Sequence, residues 1–93
     1  MKNIDLETVL VPNTACPVRE VGEGIIIMAP TGTATHSLEE LGAFVWRQLD
    51  GHRSLRQVAE AIVAEYDVTF EAASKDLFDF ASQLMEAHLV GAD

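Results

Sequence analysis

The sequence predicts an α+β domain of the winged helix-turn-helix kind, a small three-stranded antiparallel sheet followed by three helices. Three observations predict it. Residues 18–36 hold β-favouring runs broken by glycine and proline, residues 38–88 hold three apolar stripes at helical spacing, and only Asp67-Val68-Thr69 separates the last two stripes. Strands first, then helices joined by tight turns, is the order of a small sheet packed on a helical layer. A chain of 93 residues holds one such domain.

Residues 1–15 read as an irregular N-terminal arm, interrupted by Pro12 and Asn13, and residues 16–93 as the domain proper. Val18-Arg19-Glu20-Val21 alternates like a half-buried strand, and Gly22-Glu23-Gly24 is a turn. Ile25-Ile26-Ile27-Met28-Ala29 is a continuous apolar run, the pattern of a strand covered on both faces. Pro30-Thr31-Gly32-Thr33 turns the chain, and Ala34-Thr35-His36 forms a short third strand. The first helix carries Leu38, Leu41, Gly42, Val45 and Leu49, with Ser37 and Glu40 at capping-box spacing and Asp50-Gly51 as its stop. Ser54 and Gln57 box the second helix, whose apolar face is Leu55, Val58, Ala59, Ile62 and Tyr66. Thr69 caps the third, with Phe70, Ala73, Leu77, Ala81, Leu84 and His88 on one stripe. Phe80 lies on one flank of that stripe, Phe78 and Met85 on the other.

Composition narrows the function. Fifteen acidic against six basic side chains give a formal charge of −9, which repels nucleic acid and anionic membranes and suits at most a cationic partner. The lone Cys16 cannot form an internal disulfide, no apolar run approaches a membrane span, and the first residues lack a signal-peptide layout. The expected location is cytoplasmic.

No catalytic constellation is evident, so the chain is read as a binding module and not an enzyme, without metal or cofactor. Cys16, His36, His52 and His88 are scattered, with no metal-ligand spacing and no phosphate loop. Asp76 and Asp79 read as solvated helix surface. Arg47, Arg53 and Arg56 gather near the first helix–helix corner, either as a solvated corner or as a docking patch for an acidic partner surface. The alternative function is a winged-helix DNA-binding regulator. Its recognition helix would be the third, which sets Glu71, Asp76, Asp79 and Glu86 against Lys75 alone; that brings negative charge into a field of phosphates.

Leu38-Glu39-Glu40-Leu41-Gly42-Ala43-Phe44-Val45-Trp46, Leu49-Asp50-Gly51, Ser54-Leu55 and Asp76-Leu77-Phe78-Asp79-Phe80-Ala81-Ser82-Gln83-Leu84 together resemble the PqqD family over roughly residues 16–90. These are the peptide chaperones of pyrroloquinoline quinone biosynthesis, part of the wider group of recognition elements for ribosomally made, modified peptides. Two positions depart from the pattern: Glu39 stands where the family usually has Asn, and His88 where a Gly commonly precedes the last Leu.

The resemblance implies a non-catalytic adaptor. It would bind the leader segment of a precursor peptide as an added strand beside the third helix and present it to a modifying enzyme, a radical SAM enzyme in many systems. An edge strand offers unpaired N–H and C=O groups to such a peptide. Thr33, Ala34, Thr35 and His36, with Leu38, are the expected edge. Phe78, Met85, Ser74 and Ala81 are the expected pocket wall, and Lys75 a partner for an acidic leader residue. The competing reading has Phe78 and Met85 packing under the arm. An exposed edge also makes a homodimer a possible partner arrangement.

Overall fold

The computed structural model describes residues 4–29 and 34–92. Along the chain run β1 (Leu10–Pro12), β2 (Val18–Val21), β3 (Gly24–Met28), β4 (Thr35–Leu38), α1 (Leu41–Gln48), α2 (Leu55–Glu65), α3 (Phe70–Glu86) and β5 (Val90–Ala92). β2, β3 and β4 form the expected antiparallel sheet in that order, and β1 pairs with β5. The three-stranded sheet and three helices are the predicted fold; the β1–β5 pair is an addition to it.

Register follows from burial. Ile25 and Ile27 on β3 are buried and face the helices, whereas Ile26 and Met28 are exposed. Antiparallel pairing sets Ile27 opposite Val18 and His36, and Ile26 opposite Arg19 and Ser37. The helix-facing row therefore continues through His36 and Leu38 on β4, and the outward row through Arg19 and Ser37. The expectation that the apolar run of β3 is covered on both faces is corrected: one face alone is covered among the described residues. Gly24 is required where it stands, since a Cβ there would come within 3.0 Å of the Leu38 carbonyl oxygen.

The core joins the inner sheet face to all three helices through Ile25, Ile27, Val45, Leu55, Ile62 and Leu77. α2 carries the predicted capping box, Ser54 accepting from the Gln57 amide and Gln57 accepting from the Ser54 amide. Thr69 caps α3 by accepting from the Ala72 amide at 3.1 Å. The box predicted for Ser37 and Glu40 does not form. Ser37 belongs to β4, the cap position falls to Glu40 at φ 49°, and no side chain caps α1. Strand pairing of Leu38 with Ile25 outweighs the helical spacing that had placed Leu38 in α1.

The arm is not irregular throughout. Leu10, fully buried, lies in β1 opposite Ala92. The Leu6 and Thr8 carbonyls accept from the Arg56 and Leu55 amides, each at 2.8 Å, satisfying free donors at the start of α2. A strand of three residues containing proline gives too short a pattern to detect, and its partner lies at the other end of the chain.

His88 is the other departure. It was expected on the apolar stripe of the third helix, but α3 ends at Glu86 and His88 is exposed at φ 61°. The His88 amide donates to the Met85 carbonyl and the Leu89 amide to the Leu84 carbonyl, both at 3.0 Å. These are the two bonds of a Schellman helix end, whose left-handed residue is normally glycine. The His88 carbonyl accepts from the Asn13 side chain at 2.9 Å, tying the arm to this corner.

Candidate functional site

The sheet has two edges, and their surroundings differ. The Ala29 amide donates to the Ala34 carbonyl at 2.8 Å, which makes that pair hydrogen-bonded. Alternation along an antiparallel ladder then points the N–H and C=O of His36 and Leu38 toward β3, and those of Thr35 and Ser37 outward. No described residue pairs with that outer edge.

Beside it lies a groove of about 330 Å³ between β4 and α3. Leu38, Phe80, Leu84 and Leu89 give it an apolar floor, with His36 and Gln83 at its polar rim. Among the described residues, no carboxylate, lysine, arginine or thiol lines it. Gly42 of α1 faces Phe80 and Leu38: a Cβ there would sit 3.6 Å from the ring and 3.7 Å from Leu38, in ordinary van der Waals contact. A second, smaller apolar hollow of about 120 Å³ lies on the far side of Phe80, bounded by Leu41, Val45, Ile62 and Leu77.

The expected site residues divide. Thr35, His36 and Leu38 stand together at the groove. Ala34 precedes β4 and is exposed, and Thr33, with the turn expected over residues 30–33, lies outside the described residues. The helical wall is a different flank from the one expected. Phe80, Gln83 and Leu84 face β4, whereas Phe78 and Met85 sit about 100° and 80° around the helix from Leu77, on the opposite side from Phe80. Both pack, half-buried, against the core. Ala81 is buried in it, Ser74 lies on the Phe78 side with its hydroxyl buried and unpartnered, and Lys75 is exposed. Phe80 was visible as a flank residue in the sequence. Periodicity shows that a helix has two flanks, and only the packing of α1 and α2 decides which one meets the sheet.

The opposite edge, β2, is guarded. Its outward residues are Val18 and Glu20, and Glu20 is bridged by Arg47 at 2.8 Å, which also donates to the Glu23 carbonyl. The other two arginines of the expected docking patch likewise have partners. Arg56 meets Glu7 of the arm at 3.0 Å, and Arg53 lies beside Asp50 and bonds the Gln48 side chain. Each is at least two-fifths exposed, so each pair contributes little to stability.

Elsewhere the titratable groups act structurally. Asp50 accepts from the His52 amide at 2.9 Å and from the Arg53 amide at 3.1 Å. These bonds, the His52 one first, hold its carboxyl below the ordinary range. Burial pushes the Cys16 thiol up; its Sγ lies 3.8 Å from the His88 carbonyl. No cluster of described residues could hold a metal ion, and no described helix is long and apolar enough to cross a membrane.

Comparison with known proteins adds two findings. The family model described as coenzyme PQQ synthesis protein D (PqqD) matches residues 24–90. A solved structure, "TbiB1 in Complex with the TbiA(beta) Leader Peptide", superposes with a TM-score of 0.80 at 21% identity, covering 86% of this chain and 93% of that one. At that identity the likeness speaks for the fold. No curated protein matches the chain.

Proposed function

The chain belongs to the PqqD family, and from that premise we propose that it binds the leader segment of a ribosomally made precursor peptide and presents it to a modifying enzyme of the radical SAM class, as in pyrroloquinoline quinone biosynthesis or a related peptide-modification pathway. The observation that carries this is the open β4 edge above an uncharged, apolar-floored groove. An extended peptide adds there as a fourth strand. The N–H and C=O of Thr35 and Ser37 supply ladder bonds that any sequence can make, and alternate peptide side chains drop toward Leu38 and Phe80. The TbiB1 structure, which holds a leader peptide, supports the same reading for a shared fold.

The module performs no chemistry of its own. The groove offers one imidazole, His36, with no carboxylate or thiol beside it, and general acid–base or nucleophilic catalysis needs converging groups. Its contribution is positional: holding the leader raises the concentration of the attached core segment at the enzyme. The exposed outer side of α3 bears Glu71, Asp76, Asp79 and Glu86, so duplex DNA would meet repulsion there.

The test is an anisotropy titration of the full chain with a labelled leader peptide encoded beside it. Saturable binding by the leader, and none by the core segment of the same precursor, is expected. Equal binding by both segments, or by neither, contradicts the reading.

A further inference from the structure

The sheet's outer face is the part of the molecule that leader binding leaves unexplained. The middle strand of a one-sided antiparallel sheet normally carries polar residues on its solvent face. Here that face shows Ile26 at 36% and Met28 at 38% exposure, with Val21 at 52% on the neighbouring strand. The sequence pattern of β3 is that of a doubly covered strand, and the described residues cover one side. The surface is also shaped. A hollow of about 350 Å³ between Pro17, Arg19 and Met28 and a smaller one of about 110 Å³ by Val21 and Ser37, with Glu39 at its far end from Arg19, meet at Ile26.

Charge says what kind of surface would cover it. Of the four arginines, Arg47, Arg53 and Arg56 are ion-paired within the chain, and Arg19 alone has no ion pair among the described residues. Arg19 stands directly opposite Ile26, a free guanidinium inside an apolar patch on a chain of net charge −9. A second copy seated with its two-fold axis at Arg19 would bring two Arg19 side chains together, which is unfavourable. An apolar surface with a carboxylate at its centre would satisfy both the patch and the cation.

We propose that the outer face of the β2–β3–β4 sheet is a second docking surface, taken by an apolar patch of the modifying enzyme that carries a carboxylate for Arg19. The face continues past β4. If a leader adds at that edge, which rests on the function proposed above, its side chains alternate. One set enters the groove; the other joins the row of Thr35 and Ser37 on the outer face. The enzyme then touches domain and peptide at once and binds the loaded domain more tightly than the empty one, and by reciprocity the leader gains the same factor.

The test uses the full chain, its leader peptide and the peptide-modifying enzyme encoded beside it, with affinities by calorimetry. Arg19→Glu and Ile26→Ser should each weaken enzyme binding about tenfold or more, with or without leader, while leader affinity stays within about twofold. Leader should tighten the parent's enzyme binding on the order of tenfold. A thermal melt separates misfolding from lost contact, and Arg19→Glu, on an exposed side chain, keeps the test alive if Ile26→Ser unfolds. Unchanged enzyme affinity in both folded variants overturns the proposal. So does a parent dimer in sedimentation equilibrium that both variants dissociate, since a second copy then covers the face. Should the leader fail to bind at all, the proposed function fails, while the leader-free enzyme titration still decides the docking surface.

Discussion

The two edges of the three-stranded sheet have the same backbone and opposite prospects. At β4, the outward amides and carbonyls of Thr35 and Ser37 sit above a groove with an apolar floor, a polar rim and no charged lining among the described residues. At β2, all four residues are exposed, Arg19 and Glu20 put charge on the strand, and Arg47 is drawn across to Glu20 and the Glu23 carbonyl. Charged side chains are a common means of keeping an edge from accepting another strand. On the proposed reading, what stands beside each edge decides whether it binds: the Phe80 flank of α3 on one side, an ion pair on the other.

The sharpest way to break this comparison is a proline on each edge. Ser37→Pro and Val18→Pro both remove an outward N–H, a substitution edge strands tolerate. Ser37→Pro should weaken leader binding by about 2 kcal/mol, some thirtyfold, through one lost bond and a clash with the incoming strand. Val18→Pro should leave it unchanged. Equal losses, by anisotropy titration, would make the two edges equivalent.

A smaller contrast separates the flanks of α3. Phe80→Ala should lower leader affinity about tenfold, whereas Met85→Ala should cost about 1–2 kcal/mol of stability and leave leader affinity alone. Denaturant melts alongside the titrations distinguish the two.

At the far corner, His88→Gly should stabilise the fold by about 1 kcal/mol, because it removes the cost of a left-handed histidine. The melting temperature should rise by roughly 4–8 °C, with peptide binding unmoved. The smallest effect is electrostatic. The Asp50 carboxyl is held below its unfolded value, so its contribution is present above that value and lost as pH falls through the folded one. Between neutral pH and about pH 5 the α1–α2 corner should be insensitive. Below the ordinary carboxylate range the His52 and Arg53 amides should lose protection relative to their intrinsic exchange rates at the same pH, and Asp50→Asn should flatten that dependence.

What could be read in the sequence was local. The Ser54–Gln57 box, the Thr69 cap, the Ile25–Ala29 run and the three apolar stripes each span a few residues and report their own structure. What could not be read depended on distant partners. β1 forms because Leu10 meets Ala92, and Leu38 leaves the helix because Ile25 pairs with it. The groove was half legible. Thr35, His36 and Leu38 follow from an uncharged strand before a helix, but the choice of Phe80 over Phe78 is made by how α1 and α2 pack against α3. His88 stands where the family commonly has glycine, and its left-handed backbone gives that preference a physical cause.

The central claim is that β4, and not β2, is the receptive edge, and amide hydrogen exchange on the full chain with and without leader peptide measures it residue by residue. The account predicts fast exchange at Thr35 and Ser37 in the free protein, strong protection of both on adding leader, and no change at Val18 and Glu20. Protection appearing at Val18 and Glu20, with Thr35 and Ser37 unaltered, would contradict it.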